Sequence, residues 1–98
     1  MGACTFGTVG RGATAQEAFR NAREEAQWEH GHGGYSGTVA EKSSFTYVEI
    51  TDEVRGDRRL LNEKIDELTD TQFDDKWGPA GCVKLREGEF LFFGWASE

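Results

Sequence analysis

The sequence predicts an α+β domain, an antiparallel sheet of four to five strands carrying two helices on one face. Three observations predict it. Apolar residues recur with helical period between Ala15 and Ala26 and again between Leu61 and Leu68. Short runs rich in β-branched and aromatic residues lie between and after them. The last run, Phe90-Leu91-Phe92-Phe93-Gly94-Trp95, is apolar on both strand faces, the pattern of a central strand covered on both sides.

The chain is 98 residues long with 37% apolar content, which gives a single domain, 1–98, with a core of its own. Thr5–Val9 reads as a first strand. Thr14 with Glu17 three residues on forms a capping box that starts a helix. Ala15, Ala18, Phe19, Ala22 and Ala26 then fall within about 100° of one another, and mostly small residues let this helix lie close against a sheet. The helix runs to about His30, where Gly31 suits a left-handed cap. The stretch His30-Gly31-His32-Gly33-Gly34-Tyr35-Ser36-Gly37 therefore reads as a helix stop and a turn into a strand. Its glycines follow a helix, whereas an anion-cradling loop needs them before one. His30 and His32, with Glu29 as a third donor nearby, do not make a metal site at that spacing alone, and no metal is assigned.

Thr38–Glu41 and Phe45–Ile50 read as two strands around a Lys42-Ser43-Ser44 turn, or as one long bent strand. The segment Thr51–Asp57 breaks the pattern, and Asp57 is placed to cap a second helix over about Arg58–Gln72. Leu61, Ile65 and Leu68 form its seam. A hairpin closes the chain: Cys82–Arg86, the turn Glu87-Gly88, then Glu89–Ala96. The order β-α-β-β-α-β-β matches a ferredoxin-like split β-α-β with an extra C-terminal strand.

A net charge of −7 disfavours nucleic acid and anionic membrane as partners and leaves basic protein surfaces, cations and small ligands open. The start, Met1–Gly10, lacks a basic region and an apolar core of a secretory signal, so the expected location is the cytoplasm, with Cys4 and Cys82 reduced. Whether those two cysteines pair stays open.

Three places stand out. On the second helix, Glu63, Asp66, Glu67, Asp70 and Asp74 share one stripe opposite the apolar seam. Between Leu61 and Asp75 six acids meet one base, Lys64, which concentrates −5 of the −7 there. Like charges at i, i+4 oppose helix formation by a few tenths of a kcal/mol each, so stability alone does not favour this stripe. Such a face suits a basic, nucleic-acid-binding protein surface. The second place is Gly10-Arg11-Gly12 with Thr14, where backbone N–H groups, a helix dipole and a guanidinium could hold an anionic nucleotide. Third, Trp28 falls on the polar side of the first helix and Trp77 in a Gly-Pro loop, places that suit interface anchors or lids over the core. No nucleophile–base signature and no cofactor motif is present, so a non-enzymatic binder is expected, with no cofactor.

The segments Gly31–Lys42 ("GHGGYSGTVAEK") and Lys76–Ser97 ("KWGPAGCVKL…FLFFGWAS"), taken with the capped Ala-rich helix, resemble small acidic bacteriophage-encoded proteins of unassigned function. The resemblance implies an inhibitor of a host or defence protein that acts by stoichiometric binding, through charge mimicry or by sequestering a nucleotide signal. The expectation is a phage-type inhibitor that docks on a basic surface through the acidic helix face, with Trp28 and Trp77 as anchors. The alternative is a small-ligand binder at Gly10-Arg11-Gly12, and an open sheet edge would permit a homo-oligomer.

Overall fold

The computed structural model describes residues 2–30 and 38–97. The elements are β1 (Ala3–Arg11), α1 (Ala15–His30), a 3-10 turn (Val39–Glu41), β2 (Phe45–Tyr47), α2 (Asp52–Gly56), α3 (Arg58–Asp70), β3 (Ala80–Arg86) and β4 (Glu89–Ser97). The four strands make one mixed sheet in the order β1-β4-β3-β2. β1–β4 and β4–β3 are antiparallel, whereas β2 runs parallel to β3.

Local chemistry sets most boundaries. α1 begins where the Thr14 hydroxyl accepts the Glu17 N–H at 3.1 Å. α3 begins where the Asp57 carboxylate accepts the N–H groups of Arg59 and Leu60 at 2.9 and 3.4 Å. It ends at Asp70, two residues short of the expected Gln72, because the Leu68 carbonyl turns to the N–H groups of Thr71 and Phe73. The β3–β4 hairpin turns at Glu87-Gly88, with Gly88 at φ +81°, a backbone conformation that favours glycine.

β4 organises the layers. On one face Phe90 and Phe92, with Ala80 and Cys82 of β3, pack against Ala18, Phe19, Ala22 and Ala26 of α1. On the other, Phe93 and Leu91, with Val83 and Leu85 of β3, pack against Leu61, Ile65 and Leu68 of α3. Phe92 and Phe93 are consecutive and both fully buried, as the doubly apolar final strand predicts.

Four expectations need correction. The helices lie on opposite faces of the sheet, not on one. The two crossovers, β1 to β2 and β2 to β3, join parallel strands and travel in opposite directions across the sheet. Right-handed crossovers running in opposite directions must pass over opposite faces, which accounts for the arrangement. Nor is the sheet wholly antiparallel: the long connection between β2 and β3 carries the helices α2 and α3 and returns the chain to the same end. β1 and β2 are thus parallel with two strands between them, which departs from the ferredoxin-like order. The expected strand Thr38–Glu41 is a 3-10 turn, because Thr38 caps it by accepting the Ala40 N–H at 3.2 Å and Val39 alone dips into the core. The expected break at Thr51–Asp57 contains α2, capped by the Thr51 hydroxyl on the Val54 N–H. Arg55 holds that short helix to the sheet, donating to the carbonyls of Lys84 and Ile50 at 2.7 and 3.3 Å and pairing with Asp52.

Cys4 on β1 and Cys82 on β3 are separated by the whole of β4 and form no disulfide. Two strand spacings and a four-residue offset in register, from Ala96 to Phe92, put them roughly 16 Å apart, beyond disulfide reach. Burial pushes the Cys82 thiol up from 9.0 to about 12. Folding therefore keeps a proton that the unfolded chain releases above pH 9, and stability falls as pH climbs from there toward 12. By pH 10 the loss should be roughly 1 kcal/mol, read as the difference in urea midpoint trend between the wild type and Cys82→Ala. Parallel pH trends in the two proteins would refute it.

Gly81 stands directly opposite Phe93, whose ring lies where a Cβ on Gly81 would have to be. Gly81→Ala should therefore cost about 1–3 kcal/mol by displacing that ring, measured by urea denaturation. An unchanged midpoint would show that Phe93 has room to move.

Candidate binding surfaces

The acidic stripe sits on the solvent side of α3. Glu63, Asp66, Glu67 and Asp70 are all exposed, opposite Leu61, Ile65 and Leu68. Two of the four meet cations, Arg59–Glu63 at 3.6 Å and Lys64–Glu67 at 3.9 Å, in pairs that water screens. Among the described residues Asp66 and Asp70 form no ion pair. Asp74 is exposed but lies past the helix end, so it extends the stripe through a turn rather than along the axis.

That turn is held by a residue that the sequence places in a turn between two strands, or within one long bent strand. Lys42 is almost wholly buried, and its ammonium donates to the carbonyls of Asp75, Lys76 and Gly78 at 3.3, 3.1 and 2.9 Å. Burial pushes its pKa down, with the Asp75 charge partly opposing. No periodicity could reveal this, because the contact joins residues more than thirty apart. Trp77, 63% exposed, stands on the clamped turn with the Lys76 ammonium 5.2 Å from its ring centre. Lys42→Met should cost about 1–3 kcal/mol by leaving three carbonyls without their donor, and should shift Trp77 emission in the folded state. Unaltered stability and emission would mean that water replaces the ammonium without loss.

The glycine-rich loop is used up by the fold. A Cβ on Gly12 would lie 2.7 Å from the Ala18 nitrogen, so Gly12, like Gly10, lets β1 approach α1 closely. The Gly12 N–H donates to the Gly88 carbonyl at 3.1 Å, and the Thr14 hydroxyl caps α1. Arg11 turns away from α1 to pair with Glu89 at 3.2 Å, on the α3 side of the sheet. These residues are brought together, but around each other.

Trp28 is 89% exposed on α1. Because α1 and α3 cover opposite faces, Trp28 does not share a surface with the acidic stripe; Trp77 lies on the turn after α3 that also carries Asp74. A second feature went unseen in the sequence. An open groove of about 570 Å³ runs along α1, lined in part by Phe19, Arg20, Arg23, Gln27 and Ser43. Arg23 stacks over Phe19 at 5.8 Å there.

The described residues include no cluster of three His, Cys, Asp or Glu placed to hold a metal ion, and no helix long and apolar enough to cross a membrane. Gly31, His32 and the rest of 31–37 lie outside the described residues, as does the side chain of His30. No family model, curated protein or solved structure matches the chain. Its function must be argued from the surfaces themselves.

Proposed function

We propose that this protein is a non-enzymatic binder that docks on a basic protein surface through the outer face of α3 and the turn that follows it. The supporting observation is that Asp66, Asp70 and Asp74 stay exposed and without ion-pair partners in the described structure. Glu63 and Glu67 flank them in weak, screened pairs. Within α3, carboxylates recurring every three or four residues are spaced about 4.5–6 Å apart along the axis, a regular row of negative charge like the phosphates of a nucleic-acid strand but sparser than their roughly 3.4 Å axial spacing. A basic surface built for such a strand would meet comparable charge here. Trp77, presented on the Lys42-clamped turn, supplies the apolar contact that charge alone lacks.

In this reading the protein acts in the cytosol as a stoichiometric inhibitor of a host or defence protein, in the manner of phage-encoded proteins. The nucleotide alternative at Gly10-Arg11-Gly12 has less support, since Arg11 is paired with Glu89 and the Gly12 N–H is taken.

Changing Asp66, Asp70 and Asp74 together to Asn should leave the fold intact and relieve the Asp66–Asp70 repulsion inside α3. Capture of the basic partner from lysate should fall about tenfold or more at about 0.1 M salt and lose most of its salt dependence. Equal capture by the variant and the wild type would sink the proposal.

A further inference from the structure

The sheet has two unlike edges. β2 is three residues long, the short kind of edge strand that resists further pairing. β1 is nine residues long and pairs with β4 in unbroken register from Ala3 to Arg11. It has no proline, no lysine and no bulge, and among the described residues no strand pairs with its outer side. Half its backbone groups face outward as a ready template for another strand.

α1 overhangs that edge. Its Phe19 side leans toward β2, with Phe19 5.0 Å from Phe45. The opposite flank therefore faces β1. There Asn21 donates to the Arg11 carbonyl at 2.8 Å, and Glu25 and Glu29 line a shallow pocket of about 110 Å³ with Thr8 and Val9. Trp28 lies seven residues, about two turns, beyond Asn21 on the same flank. On the α3 side of the sheet, Val9 is 38% exposed beside half-buried Leu91.

We propose that the β1 edge receives an extended basic segment of a partner protein by strand addition. The alternation of a strand then sets the partner's sequence pattern. Side chains of one parity lie under α1 and meet Glu25 and Glu29, so they are lysine or arginine. Those of the other parity lie beside Val9 and are apolar. Trp28 covers the incoming strand or stacks on a guanidinium. A second copy of this chain is the wrong occupant. Pairing β1 with itself about a two-fold axis would bring both α1 helices to the same side, with the Glu25 and Glu29 flanks of the two copies facing each other.

The surface is distinct from the α3 stripe, being on the other helix and the other face, so the two can be tested apart. The probe is an eight-residue peptide alternating lysine and valine, with the same peptide N-methylated at every amide as its control. Hydrogen exchange should show added protection confined to β1 and α1 with the first peptide and none with the second. Glu25→Gln with Glu29→Gln should weaken peptide binding about tenfold, and Trp28→Ala should weaken it further. The triple Asn variant of α3 should bind the peptide as the wild type does. Equal binding of the methylated peptide, protection on α3 instead of β1, a dimer closed through β1, or no binding at all would each overturn the proposal.

Discussion

Two consecutive phenylalanines on one strand constrain the whole molecule. Side chains at adjacent strand positions point to opposite faces, so burying both Phe92 and Phe93 requires a cover on each side of β4. α1 supplies one cover and α3 the other. β4 must then be an inner strand, with β1 and β3 on either side of it. The two covers differ in depth. α1 presents alanines and approaches closely enough that Gly10 and Gly12 have no room for a side chain. α3 presents leucine and isoleucine, and Phe93 fills the space left by Gly81.

The same constraint decides where the two proposed docking surfaces lie. Because the helices are on opposite faces, the acidic side of α3 and the Trp28 flank of α1 point in different directions. One is a convex, charged helix face ending in a turn held by the buried Lys42 ammonium. The other is a step between a helix and an open strand edge, bordered by Glu25 and Glu29. Both carry negative charge, and the docking proposed for each differs: side-chain charge at α3, backbone pairing at β1.

Much of this was legible in the residues. The Thr14 and Asp57 caps, the alanine seam of α1, the Leu61-Ile65-Leu68 seam, the Glu87-Gly88 turn and the doubly buried last strand all rest on interactions within a few residues, or on the period of burial. The segment Thr38–Glu41, which holds the 3-10 turn, passes for a strand in the sequence because four residues with one buried valine carry no decisive period. α2 went unread because its hold on the sheet is Arg55 reaching the Lys84 carbonyl, a contact across twenty-nine positions. The acidic stripe was visible as spacing; that two of its carboxylates are paired and three are not was visible only in space.

By itself, the sequence determined the two long helices α1 and α3 and the four strands, which side of each long helix is apolar, and that the final strand is inner. Those properties follow from short-range hydrogen bonding and from burial period, both written along the chain. Only the tertiary structure decided that β2 lies parallel to β3, that the helices take opposite faces, and that β1 is an edge of the sheet among the described residues. Strand order and crossover direction depend on how far the chain travels between pairings, and period carries no information about that. The tertiary structure also put Lys42 beneath the Trp77 turn and Asn21 against the end of β1, turning separate residues into surfaces.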